Sequence, residues 1–384
     1  MTEFDYLYDE LLRKILREGV EVENRTGVNT IKVPSHTFEF NIEKEFPILT
    51  TKQMFYRQAI IEMLWIWQMG SNNVLDLHDR NVHIWDEWMV DQDGIYRIYE
   101  PSTEKYDPDK EVVVLDPLSA PLDNSNAKLS PKLDENGNVM TTKSMIKGKN
   151  IKEAKYYGLE YANTIGTAYG YIVNRYQHTK NLIDTIKNNP NDRRMVKSLW
   201  QDEFLRTAVL PSCVWSTEWD VTKNKINLMV HQRSCDVPLG LPFNVTQYAT
   251  LLEMIAQVTD KEPGTITYSI KDAHIYVNQL NGIKKQLKRL EKYNSLSKLD
   301  DSYLEALKQS LLEQQKLFDK DSDEYDELDS NIKIIDMIFD PTKPELVLNH
   351  DIDDFFLFDN SKDLKDIKIK NYKHMGKIKF PITQ

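Results

Sequence analysis

Residues 210–244 read LPSCVWSTEWDVTKNKINLMVHQRSCDVPLGLPFN and bring a thiol, a guanidinium, a carboxylate and an amide into one short stretch. The stretch is dense in strand-forming residues, which predicts that these groups are held by a sheet. A cysteine attacks as the thiolate, and a nearby cation lowers the pKa of a thiol. The planar fork of an arginine also binds phosphate. The combination predicts covalent catalysis on a small phosphorylated molecule.

Helical and strand patterns flank this stretch on both sides. Apolar residues recur at helical spacing over residues 4–18 and alternate as in strands over 30–40. Thr50 and Thr51 are predicted to cap a second helix. The remaining patterns predict helices at 52–68, 177–188 and 243–258, and strands within 195–230, at 269–276 and after 344.

Two segments interrupt this organisation. Five prolines punctuate the polar residues 95–155, so we expect an irregular insertion there. Residues 285–340 combine an apolar helical stripe, a capping box from Ser302 to Glu305 and an acidic run, which predicts an inserted helical hairpin. Residues 1–384 are interpreted as a single catalytic domain that contains both insertions.

The composition excludes several classes of protein. The formal net charge of −11 over 384 residues argues against binding to DNA or to an acidic membrane surface. Cys213 and Cys235 provide no disulfide framework and favour a reducing, cytoplasmic setting. We expect no secretory signal and no membrane helix, since the most apolar run, 60–69, contains Glu62 and is short.

The two cysteines differ as candidate nucleophiles. A free cysteine is more often a small buried residue, but the arginines near Cys213 favour a reactive thiol there. Cys235 ranks second, because on a strand its side chain would point away from those of Ser234 and Asp236.

Four arginines have two possible interpretations. Each is either a solvated surface residue or part of an anion clamp around the thiol, and the spacing in the sequence does not decide between them. They are Arg25, Arg193, Arg194 and Arg233.

Glu62 and Asn244 are the candidate acid–base and base-reading residues. Glu62 has apolar neighbours on both sides in the sequence, and burial would raise its pKa toward the range useful for proton transfer. The alternative is a carboxylate on the wet face of a helix. Asn244 either caps the following helix or offers one donor and one acceptor to a base edge.

Two further pairs have a structural and a functional interpretation. His274 and Tyr276 share one face of a strand. They are either hydrogen-bonded polar groups of the core or residues that contact a bound molecule. Trp85 and Trp88 are either core residues or a surface on which a flat ligand stacks. The sequence has no Gly-rich phosphate loop, no His-Glu-x-x-His and no Cys-x-x-Cys, so we expect no metal site.

The ordered motifs closely resemble those of the thymidylate synthase family. The resemblance covers residues 1–94, 156–285 and 344–384 and leaves out the two predicted insertions. The motifs that carry it are Arg25-Thr26-Gly27, Leu49–Lys52, Glu62–Trp65, Ile84–Trp88, Ala168–Gly170, Asp192–Arg194, Leu210–Cys213, Gln232–Asp236, Leu241–Asn244, Asp272–Tyr276 and Pro381-Ile382.

The resemblance implies a fold and a reaction. The fold would be α+β, with a large, mostly antiparallel or mixed sheet covered by helices. The reaction would be the methylation of dUMP to dTMP, with 5,10-methylenetetrahydrofolate as donor of both the carbon and the hydride. Cys213 would add to C6 of the uracil ring. The family is a homodimer with sheets packed back to back.

The resemblance also implies a role for each matched residue. Glu62 and Tyr169 would serve proton transfer, and Asn244 would read the uracil edge. The implied nucleotide contacts are Arg25, Arg193 and Arg194 (the last two from the second subunit), Gln232, Arg233, Ser234, His274 and Tyr276. The implied folate contacts are Lys52, Trp85, Trp88, Asp236 and Phe243.

Three departures from the family and three alternatives remain. Val214 follows the nucleophile where many members have histidine, and Gln384 ends the chain where a small apolar residue is usual. The third departure is in the insertions: longer members also carry one at 95–155, whereas the helical insertion at 285–340 is less familiar. A dUMP hydroxymethylase, in which water traps the methylene, would keep the same residues, whereas Asn244 argues against the dCMP enzyme. A silent nucleotide- or RNA-binding homologue is the second alternative. A cysteine hydrolase is the third, with His274 as the only plausible base.

Overall fold

A computed structural model of the chain describes residues 1–24, 26–100, 107, 110–121, 128–146 and 148–383. The α-helices of this part are α1 Glu3–Glu18, α2 Tyr56–Trp67, α3 Val74–His78, α4 Gly170–Arg175, α5 His178–Asn188, α6 Gly240–Val258, α7 Leu280–Leu296, α8 Asp301–Gln315 and α9 Asp323–Phe339. Its strands are β1 Val20–Val22, β2 Thr30–Asn41, β3 Ile95–Glu100, β4 Glu111–Asp116, β5 Ser130–Pro131, β6 Thr141–Lys143, β7 Met145–Ile146, β8 Lys149–Tyr156, β9 Val196–Ser198, β10 Val214–Thr222, β11 Lys225–Gln232, β12 Cys235–Asp236, β13 Glu262–Tyr276, β14 Glu345–Leu348 and β15 Ile367–Lys370.

A seven-stranded mixed sheet organises the molecule. Its order is β1-β2-β13-β11-β10-β9, and β12 pairs with β13 beyond the end of β11. The β11–β13 and β12–β13 pairs are parallel and the others antiparallel. Alternate residues of β11 are buried, as a strand with one face on a core requires. The predicted α+β class with a large mixed sheet covered by helices is confirmed.

Helices α2 and α6 pack together in the main core, and they carry Glu62 and Asn244, respectively. Both are apolar around most of their surface, which is the pattern of a buried helix rather than an amphipathic one. The predicted start of α2 at Lys52, capped by Thr50 and Thr51, is wrong. Those threonines instead donate their backbone N–H groups to the buried Asp5 carboxylate, so the helix begins only at Tyr56.

The prediction of an irregular segment at 95–155 is wrong for the described residues. They form a second sheet of order β3-β8-β4-β5, to which β6 and β7 add further pairs. A small apolar cluster covers it: Ile95, Val114, Ile151 and Ala154. The strands escaped prediction because several are two or three residues long, and β3 pairs with β8 across about fifty intervening residues.

Residues 285–340 are helical as predicted, but they comprise the end of α7 together with α8 and α9 rather than a hairpin alone. The predicted Ser302 cap is wrong, since Asp300 is the N-cap of α8 and accepts the N–H of Tyr303 at 2.9 Å. Arg289 of α7 donates to the carbonyl oxygens of Thr51 and Gly376, at 3.0 and 3.1 Å. This block therefore holds the segment that leads to the C-terminus.

None of the described helices has the length and apolar character that crossing a membrane demands.

Candidate active site

The pairing of β10 with β11 brings the predicted nucleophile beside the predicted guanidinium. Val214, the first residue of β10, lies opposite Gln232, the last residue of β11. Just beyond this pair, the Arg233 N–H donates to the Cys213 carbonyl at 2.8 Å. Two residues twenty positions apart thus meet at one end of the sheet.

Arg233 is held in a defined orientation at the thiol. Its Nη2 lies 3.9 Å from Cys213 Sγ. Its Nε donates to the Ser212 carbonyl at 3.0 Å, and its Nη2 donates to the Pro211 carbonyl at 2.6 Å. The guanidinium carbon also stands 5.5 Å from the centre of the Trp200 ring, within cation–π range. A positive charge is therefore fixed next to a partly exposed sulfur.

Cys235 lies in a different environment. It belongs to β12 and is 1% exposed. Burial raises the pKa of its thiol well above the ordinary value, and the neighbouring Asp236 acts in the same direction. A buried thiol of this kind is a poor nucleophile. The geometry supports the ranking of Cys213 first.

Tyr169 contacts the backbone of the nucleophile. Its hydroxyl oxygen accepts the Cys213 N–H at 2.8 Å. Tyr169 adopts φ 47°, a value rare for a residue with a side chain, and it precedes Gly170. A Cβ on Gly170 would lie 1.8 Å from the Ser71 carbonyl oxygen, so only glycine fits there. Burial, together with nearby Cys213, raises the pKa of the Tyr169 hydroxyl well above its usual value.

Glu62 faces the same region from α2. Its Oε1 accepts the indole N–H of Trp85 at 2.7 Å, and its Oε2 accepts Nε2 of Gln247 at 2.5 Å. Burial raises the pKa of Glu62 to about 7, against the opposing effect of these two hydrogen bonds. A carboxyl group that titrates near neutral pH suits proton transfer.

A small cavity adjoins these groups. It measures about 30 Å³, room for a water molecule. Its polar lining comes from Glu62, Tyr169, Asn244 and Gln247, and Val214 contributes to the apolar part. The cavity therefore connects the acid–base candidate with the residue predicted to read a base.

Asn244 lies inside α6, so the helix-cap interpretation is wrong. The N-cap residue is Leu239, five positions earlier. The Asn244 side chain bonds to two other amides: Nδ2 donates to Gln247 Oε1 at 3.1 Å, and Oδ1 accepts from Gln232 Nε2 at 3.3 Å. Gln247 was missed from the sequence. Its position three residues after Asn244, on the same helix face, is the signal that could have indicated it.

The other predicted nucleotide contacts lie where β12 meets β13. Ala273 and His274 of β13 pair with Cys235 and Asp236 of β12. His274 Nδ1 lies 2.9 Å from the Asp272 carbonyl oxygen, and its ring packs edge-on against Tyr276 with 5.4 Å between centres.

Ser234 precedes β12, and its hydroxyl donates to an Asp272 carboxylate oxygen at 3.2 Å. This bond ties the turn after β11 to β13. The part of the chain predicted to contact the sugar is therefore held by β12 and β13, and β13 also pairs with β11, whose last residue lies beside the thiol.

The predicted folate contacts include an aromatic cluster around Trp85 and, separately, the half-buried carboxylate of Asp236. Trp85 packs against Trp88 and Tyr169, with ring centres 5.6 and 5.5 Å away. Asp236 accepts Gln279 Nε2 at 3.1 Å, and burial raises the pKa of its carboxyl group. Phe243 is partly buried against the main core.

Lys52 is buried beneath the C-terminal segment. Its ammonium donates to the Pro238 carbonyl and lies 4.9 Å from the centre of the Phe380 ring. Burial lowers its pKa to about 8. Lys52 is only 6% exposed, so in this conformation the predicted contact for an acidic folate tail is largely withdrawn from solvent.

Two predicted phosphate contacts lie on the surface of the single chain. Arg193 and Arg194 are exposed, and Arg194 pairs with Asp192 through Nε at 2.9 Å. Arg25 and Gln384 lie outside the described residues. Within the single chain, Arg233 is the one predicted arginine that meets Cys213 among the described residues.

One group of potential metal ligands occurs among the described residues, and the sequence analysis did not identify it. His78 Nε2 and His83 Nδ1 lie 2.6 and 3.2 Å from the two oxygens of Asp86. The group is largely exposed, and its members hydrogen-bond one another. Cys213 and Glu62 are not part of it.

Comparisons with known proteins identify the class to which this fold and site belong. The family model described as Thymidylate synthase matches residues 6–333. A thymidylate synthase of Clostridium beijerinckii is 38% identical over 289 residues, which cover 75% of this chain and 83% of that protein. Thymidylate synthase 1 of Bacillus subtilis (strain 168) is 28% identical over 392 residues, with 100% of both chains covered.

Structural comparison agrees with the sequence relatives. The thermostable thymidylate synthase A from Bacillus subtilis matches with a TM-score of 0.63 and 27% identity, covering 100% of both chains. The chain therefore belongs to the thymidylate synthase family, and it is a methyltransferase. The family binds dUMP and a folate co-substrate.

Proposed function

We propose that this chain is a thymidylate synthase in the strict sense, which converts dUMP to dTMP and consumes 5,10-methylenetetrahydrofolate. The observation that carries the proposal is the partly exposed Cys213 sulfur with Arg233 Nη2 at 3.9 Å. One guanidinium can stabilise the thiolate and bind the phosphate of a nucleotide lying across it.

Cys213 starts the reaction as a nucleophile. Its sulfur bonds to C6 of the uracil ring, and the electron pair of the C5–C6 double bond moves toward C5 and O4. C5 then attacks the donated one-carbon unit. Removal of the C5 proton releases an electron pair that breaks the bond between the carbon unit and its donor nitrogen and leaves an exocyclic methylene on C5. A hydride then adds to this methylene carbon, and the electron pair of its double bond returns to C5–C6 as the sulfur leaves as the thiolate. The folate, when bound, supplies both the carbon unit and the hydride that completes the methyl group.

Glu62, Tyr169 and Asn244 manage charge and protons on the pyrimidine. Asn244 holds the N3–H and O4 edge, so negative charge that develops on O4 meets an amide N–H. Glu62, with a pKa of about 7, exchanges protons with water in the adjoining cavity. Tyr169 contacts the backbone of the nucleophile, and we assign its hydroxyl to removal of the C5 proton from a pyrimidine bonded to Cys213.

The residues predicted to hold folate fit a flat, partly polar molecule. Trp88 is half-buried and would provide the aromatic surface for stacking, with the buried Trp85 packed edge-on against it. The Asp236 carboxyl offers an acceptor to the N–H groups of a pteridine. Phe243 adds an apolar contact, and Lys52 would meet the acidic tail once the C-terminal segment moves.

Assembly as a homodimer would supply the missing arginines. In the single chain, exposed Arg193 and Arg194 project from the turn before β9, at the edge of the main sheet. If the outer faces of two such sheets pack together, a two-fold axis can bring these arginines to the phosphate bound by the partner's Arg233. A cytoplasmic location accords with two free cysteines.

The decisive experiment is analysis of the products. Incubation with dUMP and methylenetetrahydrofolate should give dTMP and dihydrofolate in equal amounts. Formation of 5-hydroxymethyl-dUMP with tetrahydrofolate would instead establish the hydroxymethylase alternative. Binding of dUMP without turnover would establish the silent homologue. The set of Cys213, Glu62, Arg233 and Asn244 favours turnover.

Mixing two inactive variants tests the shared site. Cys213→Ala in one chain and Arg193→Ala with Arg194→Ala in the other should each abolish or strongly reduce activity. After subunit exchange, half of the dimers are mixed and hold one complete site, so about a quarter of wild-type activity should return. If mass spectrometry shows that mixed dimers have formed but no activity returns, arginine donation across the interface would be contradicted.

Trp85→Phe should raise the midpoint of the pH–rate profile. The indole N–H stabilises the ionised form of Glu62, so its loss raises the pKa of that group above about 7. The expected displacement is up to about one pH unit, since a net hydrogen bond contributes roughly 1 kcal/mol and 1.4 kcal/mol corresponds to one unit. Trp88→Phe is the matched control because it leaves the bond to Glu62 in place. An unmoved midpoint would exclude Glu62 as the titrating group.

A further inference from the structure

Gln247 connects the residue that reads the base to the residue that exchanges protons. One end of its amide accepts from Asn244 Nδ2 at 3.1 Å, and the other donates to Glu62 Oε2 at 2.5 Å. Its Nε2 also lies 3.2 Å from the Ala59 carbonyl oxygen. The side chain is 4% exposed, so bulk water hardly competes for these bonds.

The identity of Asn244 does not by itself select uracil. A uracil edge presents a donor at N3 and an acceptor at O4, whereas a cytosine edge presents an acceptor at N3 and a donor at N4. An asparagine amide has one donor and one acceptor end, and rotation of about 180° around its last bond exchanges them. A freely rotating Asn244 would therefore match either base.

Gln247 is fixed in one orientation by two groups that only accept. A backbone carbonyl, Ala59, and the ionised Glu62 carboxylate both lie at Nε2. If the amide turned over, its oxygen would face both of them with no proton between. The Ala59 carbonyl retains this effect even when Glu62 is protonated. Oε1 must then point at Asn244, which has to present Nδ2 to it.

The Oδ1 end of the Asn244 amide is held in the same orientation by Gln232. Gln232 Nε2 donates to the Ser234 carbonyl at 3.0 Å as well as to Asn244 Oδ1, and Gln232 Oε1 accepts the Tyr268 hydroxyl at 2.7 Å. Gln232 is 3% exposed and Tyr268 is fully buried. The three amides therefore form a chain from Tyr268 to Glu62 in which a donor faces an acceptor at each contact.

We propose that Gln247 is a specificity-determining positioning residue, whose amide prevents Asn244 from turning over and thereby makes the site select uracil over cytosine. The proposal rests on dUMP being the substrate. In this proposal the selectivity depends on two features: the identity of Asn244, and the anchoring of the Gln247 amide at Ala59 and Glu62. The free N–H and lone pair of the anchored Asn244 are those that a uracil edge needs.

The test compares dUMP and dCMP binding to the full-length protein by calorimetry. Gln247→Met keeps the length of the side chain and removes both ends of the amide. We expect the ratio of the dCMP to the dUMP dissociation constant to fall by about tenfold or more, the effect of losing one well-oriented hydrogen-bond preference. Gln257→Met is the matched control on α6, since its amide bonds to the Asn349 and Ile352 carbonyls, away from the cavity.

A second readout separates positioning from general damage. Gln247→Met removes a hydrogen bond to ionised Glu62, so the midpoint of the pH–rate profile should also rise. The proposal would be overturned if Gln247→Met weakened the binding of dUMP and dCMP equally. In that case the ratio of the two dissociation constants and the midpoint of the pH–rate profile would both be unchanged. If Gln247→Met does not fold, Gln247→Ser is measured instead, and we expect the same fall in the ratio of the dCMP to the dUMP dissociation constant. A wild-type protein without preference for dUMP would instead refute the proposed function.

Discussion

Replacing Cys213 by alanine is expected to lower kcat by at least about a thousandfold, the scale seen when a covalent nucleophile is removed. The reason is that no other described side chain offers a thiol at Arg233, since Cys235 is buried in β12. Binding of dUMP should persist, because the Pro211 and Ser212 carbonyls still hold Arg233 when its contact with the sulfur is lost. The release of tritium from C5 of labelled dUMP measures turnover. Calorimetry measures the affinity for dUMP separately.

Cys235→Ala provides the matched control. It removes a buried sulfur from β12 and should reduce the free energy of unfolding by roughly 1 kcal/mol, while the reaction remains. A covalent complex with a uracil analogue should form in this variant and not in Cys213→Ala, as read by mass spectrometry. Retained turnover in Cys213→Ala, or loss of turnover in folded Cys235→Ala, would show that the nucleophile has been assigned to the wrong residue.

Asn244→Asp is expected to shift the preference between dUMP and dCMP by at least about a hundredfold toward dCMP. An ionised aspartate cannot donate to uracil O4, but it accepts from the N4 amino group of cytosine. Sites that hydrogen-bond a substrate group reject an analogue lacking it by large factors because a buried polar group is left unpaired. The measurement is kcat/KM for both nucleotides at saturating methylenetetrahydrofolate, with the products identified.

The added negative charge needs its own control. Asn188→Asp makes the same substitution at the exposed end of α5 and should leave both specificity constants within about twofold. If Asn244→Asp lowered the two constants equally, the residue would support the site structurally without reading the base. In that case Gln247 would not determine base selection through Asn244 either.

Local patterns in the sequence predicted the regular elements well where short-range interactions decide them. The helix at 4–18 and the strand at 30–40 correspond to α1 and β2, within one residue at most ends. Their signals are periodic burial and a capping group, which depend on neighbours within a few positions. The helix predicted at 177–188 likewise corresponds to α5.

The failures occurred where distant residues decide the structure. Thr50 and Thr51 carry a cap signal, but the Asp5 carboxylate, 45 positions away, takes their N–H groups. The strands in 95–155 are stabilised by partners in a separate small sheet. Asn244 carries a cap signal too, yet the helix begins earlier and directs the amide to the cavity.

The sequence alone determined the chemical groups at the site: a thiol, a nearby guanidinium, a carboxylate among apolar residues and an amide within a predicted apolar helix. It also separated Cys213 from Cys235, since the direction of a side chain along a strand is a local property. Only the tertiary structure decided how Glu62 and Asn244 are joined. The bond from Gln247 to Glu62 spans 185 positions, and it exists because α2 packs against α6. Packing of two buried helices leaves no periodic trace of which polar pairs meet, so that contact could not be predicted from the chain.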